Sequence, residues 1–320
     1  MKVLLLDGGG LGNVVHSTVA IEGIRQAGHD LTVWCGGEWG GLAQFIDHDQ
    51  VITGELPDLD SFDRVFRTPF ALTGSDVALA EKVGKTAEGS LVPCGPNASE
   101  VEACFWFARC VGYDGLMPPP KVRYDDTSVV SGEYVVIAPG VQTASIVWLK
   151  KKYPHWREVV LSFLDKFTES KTHNPAQPEA GPGDESRPRP PGCQVVFVGS
   201  ASDSEPWMST VGIDLCGQTN LWTASGVVAK ALCVAGPDNG LTALAAAIGV
   251  PTVVLWGPTD VVKNRKIGPS VTNIRTPLAC APCQYGPGLE GCQHANCMAA
   301  INPSLVTVAI EHAVNQCGRV

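Results

Sequence analysis

The chain has 320 residues, 44% of them apolar and 17% charged, which is enough apolar material for two ordinary domains and too much for a disordered chain. The net charge of −9, with no long basic run, disfavours nucleic acid as a partner gripped through its phosphates, although a local basic patch stays open. The first apolar run, Val3–Leu6, is too short for a signal peptide, and no stretch reaches the roughly 18 residues needed to cross a bilayer. A cytoplasmic protein without a transmembrane segment is therefore expected, with peripheral membrane contact left open.

In chain order, Val3–Leu6 predicts a buried strand, followed by a glycine loop and a helix with apolar positions Val14, Val15, Val19, Ile21 and Ile24 that stops near Gly28. Leu31–Trp34 predicts a second strand, with weaker candidates at Val51–Ile52 and Val65–Phe66. Met117-Pro118-Pro119-Pro120 can continue neither a helix nor a central strand, so it is read as the start of the connection between domains. The same rhythm restarts with a strand at Tyr134–Ala138 and a helix at Trp156–Phe167. Residues Lys171 to Gly192 hold six prolines and no aromatic residue, the composition of a flexible surface insertion. Strands follow at Gln194–Val198, Ile213–Cys216, Leu232–Ala235 and Thr252–Trp256, with helices at Trp222–Ala231 and Leu241–Ile248. Short strands alternating with helices predict two doubly wound α/β halves, residues 1–130 and 131–320, with ligands beyond the carboxyl ends of the strands.

The candidate site residues lie in the strand-to-helix loops. Gly8-Gly9-Gly10-Leu11-Gly12-Asn13 opens the first helix, where glycine lets a ligand approach the backbone and free N–H groups carry partial positive charge. A dinucleotide fingerprint would want glycine at position 13, so a nicotinamide cofactor is not expected. Pro139-Gly140 and the run Lys150-Lys151-Lys152-Tyr153-Pro154 follow a strand, and the lysines could neutralise a pyrophosphate or form a solvated face. Gly236-Pro237-Asp238-Asn239-Gly240 is a second phosphate cradle or an ordinary Asx turn. Gly257-Pro258-Thr259-Asp260 is by itself only a turn. Cys280-x2-Cys283-x8-Cys292-x4-Cys297 could chelate a structural zinc or form a reduced loop, while the other eight of the twelve cysteines lie scattered, mostly in apolar segments.

Taken together and in this order, these segments resemble the ADP-heptose:lipopolysaccharide heptosyltransferases, glycosyltransferase family 9. Gly10-Leu11-Gly12-Asn13-Val14-Val15-His16-Ser17-Thr18 is similar to the family's N-terminal loop. Pro139-Gly140, Lys151-Lys152-Tyr153-Pro154 and Asp214-Leu215-Cys216-Gly217-Gln218-Thr219 are similar to later elements. Asp238-Asn239-Gly240 through Gly249-Val250-Pro251 resembles D-S-G-x-x-H-x-A-A-A-x-G-V-P, and Gly257-Pro258-Thr259 resembles G-P-T.

The resemblance implies a GT-B fold, two Rossmann-like domains facing across a cleft, and an inverting transferase that needs no metal for catalysis. It implies a nucleotide-sugar donor bound by Gly140, Lys151, Gly199, Asp238, Asn239, Gly240 and Thr259, with Lys151 stabilising the departing pyrophosphate. It also implies a saccharide or other glycosyl acceptor at Gly10, Gly12 and Asn13. Two positions depart from the family pattern. Asn13 stands where the family has an aspartate base, and Ala243 where it has a histidine. A carboxamide has no useful basicity, so His16, one helical turn on, is the expected base, with Asn13 orienting the acceptor. A transferase acting on modified nucleic acid or protein, and a nucleotide-sugar-binding protein without turnover, are the alternatives.

Overall fold

A computed structural model describes residues 1–68, 98–141, 147–169, 192–284 and 286–317. The expected insertion, Gly192 apart, lies outside them. Contacts divide the chain into two compact units. The first contains Met1–Asp125, Asn239–Gly249 and Asp260–Pro269. The second contains Asp126–Asp238, Val250–Thr259 and Ser270–Val320. The unit built on the N-terminal half thus also takes two short pieces from beyond residue 131.

In the first unit, strand β1 (Lys2–Leu6) leads into helix α1 (Leu11–Gln26), followed by β2 (Asp30–Trp34), β3 (Val51–Ile52), β4 (Arg64–Arg67) and α2 (Glu100–Cys110). All pairings are parallel, in the order β3-β2-β1-β4. The strand β1 is apolar on both faces because it is covered on both. Leu4 and Leu6 pack on one side with Trp34, Leu59 and Val65. On α2, Phe107 stacks on Phe66 of β4 at 5.2 Å. Helix α1 stops at Gly28, which takes the left-handed conformation expected of a residue just past a helix end (φ 77°).

The second unit begins with β5 (Tyr134–Ile137), α3 (Trp156–Glu169), β6 (Gln194–Phe197), the short α4 (Met208–Val211), β7 (Ile213–Asp214), α5 (Leu221–Ala229) and β8 (Cys233–Pro237). Helix α6 (Gly240–Ile248), which belongs to the first unit, follows, and then β9 (Thr252–Trp256), β10 (Val271–Arg275), α7 (Pro287–Gly291), α8 (Asn296–Ala299) and α9 (Pro303–Cys317). The sheet is again wholly parallel, ordered β10-β9-β8-β5-β6-β7. Its core gathers Val135, Ile137, Phe163, Phe197, Val253 and Leu255 with Val306 and Ile310 of α9.

Numbered within each unit, the strand orders are 3-2-1-4 and 3-2-1-4-5-6, the doubly wound arrangement the sequence predicts. The order reverses beside β1 in the first unit and between β5 and β8 in the second, which is where such sheets bind ligands.

Candidate active site

In the first unit, β1 runs into Asp7 and the glycine loop. The loop turns at Gly10, whose φ of 109° admits glycine and few other residues, and α1 starts without a side-chain cap. The Asn13 amide donates to the Gly9 carbonyl at 2.7 Å, so it braces the loop it belongs to. Asp7 is fully buried. Its carboxylate accepts from the Ser17 hydroxyl at 2.5 Å, the Gly8 N–H at 2.9 Å and the Thr68 hydroxyl at 3.2 Å. Burial pushes this carboxyl up to about 7, against the smaller lowering effect of those three donors.

His16 lies deeper than its expected role suggested. It is 3% exposed, and neither ring nitrogen has a hydrogen-bond partner among the described residues. Its Nδ1 faces Oε2 of Glu100 at 3.5 Å. Helix α6 packs against α1 where both carry small residues. A side chain at position 240 would come within 2.9 Å of the Leu11 Cβ. Ala243, where the family pattern has histidine, is buried in this same contact region, 3.9 Å from the position a Gly12 Cβ would take.

In the second unit, the reversal point sets the Pro139–Gly140 loop beside the β8–Asp238 loop, with the Ala138 N–H donating to the Ala235 carbonyl at 2.8 Å. The three lysines go to three different places. Lys150 donates to the carbonyls of Leu289 and Glu290, and Lys152 stands 4.0 Å from Asp203. Lys151 donates to the Asp238 carbonyl at 2.6 Å, with the Asp238 carboxylate at 3.6 Å and the Trp148 ring beneath its ammonium at 5.1 Å. Only Lys151 therefore reaches the predicted cradle. The Asn239 side chain is engaged as the cap of α6, accepting from the Thr242 N–H at 2.9 Å, so its contribution to a ligand would come through the backbone. Thr259, just after β9, is 3% exposed, and its hydroxyl has no partner among the described residues.

Gly140 and Gly199 surround a residue that sequence reasoning missed. A Cβ at either position would fall 2.5 Å and 3.0 Å from Oδ2 of Asp203. That oxygen accepts from the Ser200 N–H at 2.9 Å and the Ser200 hydroxyl at 2.6 Å. Both glycines, expected at the donor, thus make room for a buried carboxylate at the ends of β5 and β6. Ser200-x-x-Asp203 is a capping pattern visible in the sequence, but its contact with residue 140 is not.

The four clustered cysteines lie within electrostatic reach of one another. Burial pushes the thiols of Cys283 and Cys297 up, while the backbone N–H groups of His294 and Ala295 pull that of Cys292 down. Among the described residues, no three His, Cys, Asp or Glu side chains are gathered as a metal would need.

Residues 189–294 match the model of glycosyltransferase family 9 (heptosyltransferase). The match lies in the C-terminal part of the chain. It covers β6 through α7 and includes Lys151's partner Asp238 as well as Thr259. The fold of the whole chain agrees. The structure of E. coli ADP-heptose lps heptosyltransferase II superposes with a TM-score of 0.68 at 17% identity, covering 99% of each chain. E. coli heptosyltransferase WaaC with ADP gives 0.66 at 17% identity, covering 98% of this chain and 100% of that one. The iron-containing dodecameric glycosyltransferase TibC from enterotoxigenic E. coli H10407 gives 0.58 at 14% identity, covering 99% of this chain and 76% of the other. No curated protein matches the chain by sequence. The chain accordingly has the fold of these heptosyltransferase structures, and its residues 189–294 carry the family 9 match. No helix among the described residues is long and apolar enough to cross a membrane.

Proposed function

We propose that this protein transfers a sugar, with inversion, from a nucleoside-diphosphate sugar to a hydroxyl of a saccharide or other glycosyl acceptor. The acceptor oxygen attacks the anomeric carbon as the bond from that carbon to the pyrophosphate oxygen breaks, and the acceptor proton passes to His16. Lys151, the N–H groups at the start of α6 and the Thr259 hydroxyl receive the charge that develops on the leaving nucleoside diphosphate. The observation that supports this most is the conjunction at Asp238. The one lysine of the run that reaches a strand-end loop meets it there, and a buried hydroxyl without a partner follows the next strand. Asn13, with its amide on the Gly9 carbonyl, orients the acceptor and does not take its proton.

A thermal-shift screen of nucleoside-diphosphate sugars, followed by measurement of nucleoside diphosphate released with candidate acceptors, tests the reading. Ligand binding raises the apparent stability, so the strongest shift names the donor. If no such sugar shifts the melting temperature and none is consumed, the reading fails. The family match does not favour transfer to nucleic acid or protein, nor binding without turnover. A structural zinc at Cys280, Cys283, Cys292 and Cys297 remains a proposal from their spacing, and metal analysis of protein purified without added metal tests it.

A further inference from the structure

We propose that Glu100 is a positioning residue that fixes the tautomer of His16, so that Nδ1 carries the proton and Nε2 offers its lone pair. The proposal rests on the reading of His16 as the base and adds to it the group that prepares the ring. A neutral imidazole has one N–H and one lone pair, and a carboxylate beside one nitrogen stabilises the tautomer that is protonated there. Oε2 of Glu100 lies 3.5 Å from Nδ1 of His16, close enough for its charge to favour a proton on that nitrogen. Nε2 is buried and has no partner among the described residues, so nothing described there competes for its lone pair.

Glu100 is itself firmly placed. It opens α2, and Ser99 and Glu102 form a reciprocal capping box around it, the Ser99 N–H donating to Glu102 at 2.8 Å. The Glu100 N–H donates to the Lys263 carbonyl at 2.8 Å, and Arg265 holds Glu102 at 3.1 Å. Lys263 and Arg265 belong to the ten residues that follow Thr259 in the chain, Asp260–Pro269. The segment leaving the Gly257–Thr259 loop therefore anchors the helix end that carries Glu100.

Nitrogen-15 NMR of the full chain with labelled histidine reads the tautomer directly, and His16→Gln assigns the signal by its disappearance. In the wild type at a pH where the ring is neutral, the Nδ1 signal should be of the protonated type and the Nε2 signal of the lone-pair type. Glu100→Ala should shift the population towards protonated Nε2, and Glu100→Asp should partly restore the wild-type pattern. A wild-type ring protonated on Nε2, or an unchanged pattern in Glu100→Ala, overturns the proposal. Because the wild type alone can give the first result, the test survives a variant that does not fold. Retained donor turnover in His16→Gln would instead overturn the role of His16 as base and leave the tautomer result standing.

Discussion

A side chain at position 140 would occupy the place taken by the Asp203 carboxylate, since its Cβ would lie 2.5 Å from Oδ2. The carboxylate cannot retreat easily, because Ser200 binds that same oxygen twice. Gly140→Ala should therefore lower stability by about 1–3 kcal/mol, the usual cost of overpacking, and Gly199→Ala, whose Cβ would come no nearer than 3.0 Å to Asp203, by less. Thermal unfolding of the two variants measures this. A Gly140→Ala protein with wild-type stability but weakened donor binding would return the position to the ligand.

Lys151→Met should lower turnover by about 100-fold or more, the scale on which a preorganised charge at a leaving group matters. It should also cost some stability, because Asp238 is buried and would lose its cation. Lys150→Met and Lys152→Met, whose partners lie elsewhere, should keep most of the activity. Steady-state kinetics of the three variants with the identified donor decides the matter, and equal losses in all three would return the role to the run as a whole.

Asp7 predicts a pH dependence of stability. Its carboxyl rises from an ordinary value of 3.8 to about 7 on folding, so the native state binds the proton more tightly than the unfolded chain. The stabilisation is complete below about pH 4 and is lost as pH rises towards 7, a change of a few kcal/mol. Asp7→Asn can keep the bonds from Gly8 and Thr68 and donate to the Ser17 hydroxyl, so it should fold while losing that slope. Urea melts of both proteins between pH 4 and 8 measure the difference, and parallel curves would show that the slope comes from other groups.

Within the cysteine cluster, Cys292 should react with an alkylating reagent at lower pH than Cys283 or Cys297. Two backbone N–H groups stabilise its thiolate, whereas burial opposes ionisation of the other two. Mass spectrometry of partly alkylated protein ranks the sites. Protection of all four thiols, reversed by a chelator, would point to a bound metal.

The strands were legible because parallel strands buried on both faces read as unbroken apolar runs, as at Val3–Leu6 and Thr252–Trp256. The edge strand β10 gave no such signal, since Ile274 is its one buried residue. Helix α2 also escaped the reading, although Ser99-x-x-Glu102 ahead of an apolar stretch is a capping signal that could have found it. The loops of the site were legible, but the partners inside them were not. The pairing of His16 with Glu100 spans 84 positions, and that of Gly140 with Asp203 spans 63, and no local pattern records either.

The division of the chain also bears on how the protein is made. After Asp238 the polypeptide passes between the two units four times, at residues 238, 249, 259 and 269. The unit that begins with Met1 still lacks helix α6 and the segment that anchors Glu100 when its first 125 residues have left the ribosome. It is completed only once Pro269 has been added, so during synthesis the first unit to begin is not closed until most of the second has been made.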